Sequence, residues 1–122
     1  DYDENVKKDK LNFPIGDIVE AMRSTYYRVI IVSGREGNEK CRKATLEWLE
    51  ENGVSYHDLF MRREGDLRSD VIVKTEIYEE HIKGKYNVLF VLDDRKRIVK
   101  NWINLGLFVL DVSQDPYAEV DF

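Results

Sequence analysis

Two adjacent carboxylates, Asp93 and Asp94, directly follow the apolar run Val88-Leu89-Phe90-Val91-Leu92 and precede a helical pattern that starts at Arg95. Like charges placed side by side at a strand end are costly without a cation, because each disfavours the ionised form of the other. A hard cation such as Mg²⁺ suits the pair, since it takes oxygen ligands and keeps several waters. The chemistry indicated is metal-dependent work on phosphate. A purely structural reading leaves Asp94 as the cap of the following helix.

The elements that must position this pair are legible along the chain. Pro14 occupies a first helical position, and Ile15, Ile18, Val19 and Met22 recur at helical spacing, which predicts an amphipathic helix over 14–24. The β-branched run Tyr27 to Val32 reads as a buried parallel strand. Ser33-Gly34-Arg35-Glu36-Gly37 is expected to break it, and Cys41, Ala44, Thr45, Trp48 and Leu49 mark a helix running to the stop signal Asn52-Gly53. Val54 to Met61 reads as a second strand interrupted by His57 and Asp58, and Arg62 to Arg68 as a charged loop. Ser69 is the expected N-cap of a helix carrying Ile72, Val73 and Ile77 and ending near Gly84. Tyr86 to Leu92 is the next predicted strand, Arg95 to Leu105 a helix with Val99, Trp102 and Ile103 inward, and Leu107 to Leu110 a last strand. The charged stretch Asp1 to Asn12 reads as an extended surface segment, and the tail from Asp111 to Phe122 has no clear period.

Strands alternating with helices indicate an α/β fold, a Rossmann-like open parallel sheet with helices on both faces. In such sheets ligands bind beyond the carboxyl ends of the strands, where Ser33-Gly34-Arg35 and Asp93-Asp94 are both expected. A length of 122 residues, 43% of them hydrophobic, is the size of one domain with one core. The formal net charge of −5 argues against a simple basic nucleic-acid binder, although acids gathered at a cation site lower the total without excluding a polyanionic substrate. The lone Cys41 cannot form an internal disulfide, and no run approaches the length of a membrane span or signal-peptide core, so a soluble protein of a reducing compartment, not bound to membrane, is expected. The sequence opens on Asp1 without an initiator Met, as in a processed, trimmed or longer polypeptide.

The order of three motifs, Ile30-Ile31-Val32-Ser33-Gly34-Arg35, then Lys74 within Asp70-Val71-Ile72-Val73-Lys74, then Phe90-Val91-Leu92-Asp93-Asp94, resembles motifs two, three and four of the haloacid-dehalogenase phosphatase superfamily. With Val32 to Glu36, Arg62 to Asp70 and Asp93-Asp94-Arg95, the chain is similar to the 3′-phosphatase domain of phage polynucleotide kinase/phosphatase. The resemblance covers nearly the whole chain and implies a single phosphatase domain over 1–122 in phage or host cytosol. It implies an enzyme of nucleic-acid end repair that removes a 3′-terminal phosphate through an aspartyl-phosphate, with a kinase domain upstream. No Gly-x-x-x-x-Gly-Lys-Ser/Thr loop is present, so kinase activity is not expected of this chain itself.

The roles implied follow the motifs. Ser33 would donate its hydroxyl and Gly34 its N–H to phosphate oxygens as charge grows in the transition state; the alternative is that Ser33 caps the following loop. Lys74 would neutralise the phosphate and the attacking carboxylate, where most helical lysines are simply solvated. Asp93 and Asp94 would hold Mg²⁺, one directly and the other through water or a hydrogen bond. Arg35, Arg62 and Arg68 could grip phosphate or nucleic-acid backbone, because guanidinium forks match phosphate oxygens. Asp70 matches an acid of the phage enzymes and would orient Lys74 or Arg35, or favour a helix dipole. His57 and His81 lack metal-ligand spacing and are expected to be structural or exposed; Cys41, Trp48 and Trp102 are expected in packing roles.

One departure matters. The superfamily attacks phosphate with the first Asp of Asp-x-Asp-Gly-Thr, and this sequence has no such motif, since Asp1-Tyr2-Asp3 lacks both a preceding apolar strand and a following Gly-Thr. By resemblance the missing strand is central, so two strands would have unpaired inner edges unless it is supplied, and these residues alone are expected to be inactive. Two other readings remain at this point: a non-catalytic nucleic-acid or protein interaction module of the same fold, and a phosphatase acting on a small phosphate ester.

Overall fold

The computed structural model describes residues 13–114, so the expected extended segment at Asp1 to Asn12 and most of the C-terminal tail lie outside the described residues. The described elements are α1 (Phe13–Arg23), β1 (Ile30–Glu36), α2 (Glu39–Glu51), β2 (Asp58–Arg62), α3 (Asp70–His81), β3 (Val91–Asp93), α4 (Lys96–Asn104) and β4 (Val109–Asp111). The fold is α/β with parallel strands, as expected. It comprises two compact units, one up to Leu67 and one from Arg68.

The first unit is built on a β1–α2–β2 crossover. The strands pair in parallel, Ile30 opposite Asp58 through Ser33 opposite Met61; parallel strands require such a crossover, usually a helix. Asn38 caps α2 by accepting from the Cys41 N–H at 2.8 Å. Cys41, Ala44, Thr45 and Leu49 of the predicted stripe are buried on one face of α2, while Trp48 is half-buried. His57 has a structural task, as expected: its Nδ1 accepts from the Val29 N–H and its own N–H donates to the Val29 carbonyl, both at 2.9 Å.

Ser33-Gly34-Arg35 does not break the first strand. β1 runs on to Glu36, and the ladder with β2 shifts register between Ser33 and Glu36. The glycine accommodates a bulge, the usual meaning of Gly inside a strand. Strand β2 starts later than predicted, at Asp58, and includes Arg62, which was expected in the loop.

Gly37 stands at the exit of this bulge. A Cβ placed there would lie 2.9 Å from the Arg62 carbonyl oxygen and 3.2 Å from Met61 Cβ, and the first of these is backbone that cannot swing aside. Gly37→Ala is therefore expected to destabilise the fold by about 1–3 kcal/mol, the range for overpacking. A lowered midpoint in urea unfolding is the check; an unchanged midpoint would show that the strand ends can spread.

The second unit carries a β3–α4–β4 crossover, again parallel, with Val91, Leu92 and Asp93 opposite Val109, Leu110 and Asp111. Ser69 caps α3 as expected, accepting from the Ile72 N–H at 3.4 Å. The strands are shorter than their apolar runs: Tyr86 to Phe90 takes no part in the described ladder, and β4 spans Val109–Asp111 in place of Leu107 to Leu110. Membership of a ladder depends on a partner as well as on composition. On α4 the buried residues are Ile98, Val99 and Trp102, whereas Ile103, expected inward, is 55% exposed. Positions 98 and 102 are one turn apart, and Ile103 is displaced by a further rotation of about 100°. Helix α3 packs on α4 through Tyr78 and Trp102, whose rings meet edge to face at 6.1 Å, and through Asn101 donating to the Thr75 hydroxyl at 2.7 Å. No helix among the described residues is long and apolar enough to cross a membrane.

Candidate active site

In the second unit Asp93 closes β3 and Asp94 follows it, at the carboxyl end where the sequence puts them, whereas Ser33-Gly34-Arg35 of the first unit lies inside β1, at its bulge, and not beyond its end. In the first, Ser33 Oγ accepts from the Arg35 N–H at 3.1 Å, the local capping bond that a structural reading anticipates. A hydroxyl has one donor and two acceptor positions, so its hydrogen remains available to a phosphate oxygen. Arg62 is positioned differently from expectation. Its Nε donates to the Gly34 carbonyl at 2.7 Å and its Nη1 to the Asp66 carbonyl at 3.0 Å. The guanidinium thus clamps the bulge to the loop after β2, which makes Arg62 a latch on the Ser33-Gly34 backbone.

The second unit brings Lys74 and Asp93 together. Lys74 Nζ lies 3.7 Å from Asp93 Oδ2, with side chains only 12% and 10% exposed. Oδ2 also accepts from the Trp102 indole Nε1–H at 3.2 Å, while Oδ1 accepts from the N–H groups of Asp94 at 2.9 Å and Arg95 at 3.2 Å. At an effective dielectric of about 20 the ion pair gains on the order of 4 kcal/mol, no more than the several kcal/mol that desolvating each ion costs. The three N–H donors are what make a buried carboxylate tenable here.

Asp94 is exposed, and its carboxylate has no partner among the described residues. It does not cap α4: the N-cap is Arg95, which makes no side-chain capping bond, and Asp93 satisfies the N–H groups at this turn. An unengaged carboxylate beside an anchored one is an all-oxygen donor set that fits a hard cation. The described residues contain no group of three or more His, Cys, Asp or Glu able to hold a metal, so waters or other groups must complete any shell.

The remaining residues sit as follows. Asp70 pairs with Arg95, an ion pair across α3 and the start of α4. Arg68 makes a two-pronged bridge to Glu76 at 2.8 and 3.0 Å, which occupies the fork expected to grip phosphate. Arg35 is half-buried within the bulge of β1. Sequence reasoning placed Trp102 in packing alone and so missed its bond to Asp93. The available signal was the indole N–H, which usually finds an acceptor when buried.

Two carboxylates outside this cluster have pKa values below the ordinary 3.8: Asp58, held down first by its hydrogen bond from Arg28, and Asp111, held down first by Lys96 and then by the Ser113 N–H. A carboxyl depressed in the folded state stabilises it fully above the unfolded value and loses that contribution as pH falls through the folded one. Asp58→Asn and Asp111→Asn should therefore weaken the protein at neutral pH and flatten its loss of stability below the ordinary 3.8. Urea midpoints measured across that acid range test this; a parallel acid limb in the variants would contradict it.

Comparison with known proteins then decides the family. The sequence matches the family described as Polynucleotide kinase PNKP phosphatase domain over residues 1–117. The chain belongs to that family. It is 30% identical over 118 residues to a protein of Autographa californica nuclear polyhedrosis virus named as a bifunctional polynucleotide kinase/RNA ligase, a match covering 94% of this chain and 17% of the viral protein. A solved structure described as the Pnkp1/Rnl/Hen1 RNA repair complex superposes with a TM-score of 0.84 at 36% identity, covering 90% of this chain and 35% of that one. A second structure of the Pnkp1/Rnl/Hen1 complex gives 0.82 at 37% identity over 87% and 37% of the respective chains. The chain thus spans about a sixth of the viral relative and about a third of the solved chains. Membership of a PNKP phosphatase family supports a phosphatase-type hydrolase role.

Proposed function

We propose that this domain removes the 3′-terminal phosphate from nucleic acid through an aspartyl-phosphate, as the phosphatase part of a larger polynucleotide kinase/phosphatase. The observation that carries the reading is the anchored Lys74–Asp93 pair next to Asp94, unengaged among the described residues, at the carboxyl end of β3 in a chain of this family. The attacking carboxylate would come from an Asp-x-Asp-Gly-Thr strand that residues 1–122 do not contain. Its oxygen bonds to phosphorus as the bond to the 3′ oxygen breaks, and that oxygen leaves as a hydroxyl after taking a proton. Water then cleaves the acyl phosphate and returns inorganic phosphate, so one difficult displacement becomes two easier ones.

Ser33 and the Gly34 N–H donate to the phosphate oxygens, and Arg62 keeps that backbone in place by holding the Gly34 carbonyl. Lys74, oriented by Asp93, balances the charge that collects on phosphate and nucleophile. Arg35 binds the phosphate or the adjoining strand, and Arg68 is released to do so when its bridge to Glu76 opens. Asp70, through Arg95, steadies the turn that carries Asp94. Mg²⁺, held by Asp94 directly and by Asp93 indirectly, would supply charge neutralisation at the phosphate oxygens when bound.

The test is phosphate release by the complete protein from an oligonucleotide with a 3′-phosphate, against a nucleoside monophosphate, with and without Mg²⁺. Asp94→Asn is expected to lower turnover of the oligonucleotide by about 100-fold or more, as loss of a charged stabiliser does. Equal activity on the monophosphate would favour a small-ester phosphatase. Unaltered turnover in Asp94→Asn would remove Asp94 from the site.

A further inference from the structure

Trp102 is 3% exposed, on the buried face of α4 with Ile98 and Val99. A tryptophan there needs no special account as packing. Its Nε1–H, however, is aimed at the Asp93 oxygen that also faces Lys74. Among the described residues the other carboxylate oxygen is tied to the N–H groups of its own turn, Asp94 and Arg95, so the Trp102 bond is what fastens the carboxylate to helix α4, opposite Lys74 on α3. Tyr78, one helical turn beyond Lys74 on α3, meets the same indole edge to face. The side chains therefore form a chain of constraint, from Tyr78 to Trp102 to Asp93 to Lys74.

We propose that Trp102 is a positioning residue for the phosphatase site: its indole N–H fixes the Asp93 carboxylate so that Lys74 is held for the phosphate and Asp94 is left free for the cation. The inference rests on the function proposed above, but its central claim, that Trp102 senses and orients Asp93, can be examined without turnover. Residues that orient groups of a metal site are typically worth about 10- to 100-fold in affinity or activity.

The experiment has a spectroscopic arm and a kinetic arm, both on the complete protein. The sequence holds two tryptophans, so Trp48→Phe leaves Trp102 as the one indole in residues 1–122. With ¹⁵N-labelled tryptophan this variant identifies the Trp48 resonance, and the Trp102 resonance is assigned through bonds from its own backbone amide. Asp93→Asn, which leaves the tryptophan in place, is expected to shift the Trp102 indole N–H resonance, and Mg²⁺ is expected to shift it in the wild-type protein but not in Asp94→Asn. Trp102→Phe keeps a ring against Tyr78 and removes the donor together with part of the indole's volume. It is expected to lower kcat on a 3′-phosphorylated oligonucleotide by about 10- to 100-fold with little change in KM.

An indole resonance indifferent to Asp93→Asn would overturn the proposal, even if Trp102→Phe failed to fold. A folded Trp102→Phe variant with wild-type kcat would likewise overturn it and leave Trp102 as packing. If the resonance responds to Asp93 and Mg²⁺ while the wild-type protein releases no 3′-phosphate, the proposed function fails and the Trp102–Asp93 coupling stands.

Discussion

Asp93→Ala is expected to cost about 3–5 kcal/mol of stability and to abolish phosphate turnover, because it leaves the Lys74 ammonium buried without its counter-charge. Lys74 is 12% exposed and 3.7 Å from the carboxylate it faces, so solvent replaces little of what is lost. The same change strands the Trp102 indole N–H and the N–H groups at the start of α4. Lys74→Met alone should also destabilise, since a buried carboxylate then keeps its hydrogen bonds and loses its cation. The double variant should be less destabilised than the sum of the two, with a coupling of about 0.5–3 kcal/mol, because removing both charges also removes their desolvation cost. None of the three should recover turnover. Urea unfolding of all four proteins, with phosphate release measured alongside, decides the matter. Strictly additive stabilities would mean that the two charges are independently solvated and that the pair is no element of a site.

Residues 1–122 by themselves are expected to release no phosphate above background from a 3′-phosphorylated oligonucleotide, and an upstream extension carrying Asp-x-Asp-Gly-Thr is expected to restore turnover. Every candidate group described above stabilises charge or positions another group, and none is a carboxylate placed to attack phosphorus. Electrostatic stabilisation without a nucleophile leaves the covalent route closed. The test has a built-in control in Asp1 and Asp3, whose spacing imitates the motif. Turnover by residues 1–122 that survives replacement of both would sink the missing-nucleophile argument, whereas turnover that disappears with them would assign the nucleophile to that pair. The same extension also tests the edge argument: if a central strand is lacking, adding it should sharpen the unfolding transition and reduce association at exposed strand edges.

Much of the local structure was legible in the residues. The α2 stripe of Cys41, Ala44, Thr45 and Leu49 and the Ser69 cap of α3 follow from periodicity and hydrogen-bonding capacity within a few residues, and both are where the sequence puts them. Strand limits were less legible. The apolar run Tyr86 to Leu92 contributes Val91 and Leu92 to the ladder, and β1 absorbs the Ser33-Gly34-Arg35 segment that reads as a strand end. Hydrophobic composition marks where a strand can lie, but a ladder needs a partner in register, and that partner is distant in the chain.

The candidate site divides along the same line. The order of Ser33-Gly34-Arg35, Lys74 and Asp93-Asp94 carries the kinship, because chemistry demands particular side chains in a particular sequence of strands and helices. Their division of labour was not written there. That Asp93 is anchored by Lys74 and Trp102, that Arg62 holds the Gly34 carbonyl, and that Arg68 is occupied by Glu76 all depend on contacts between residues 8 to 28 positions apart. The amino-acid order thus determined the element types, the buried helical stripe and the family, all of which depend on side-chain chemistry and short-range spacing. Only the tertiary structure decided which of the two acids is held by Lys74 and Trp102, because that choice is made by the helices packed around the end of β3.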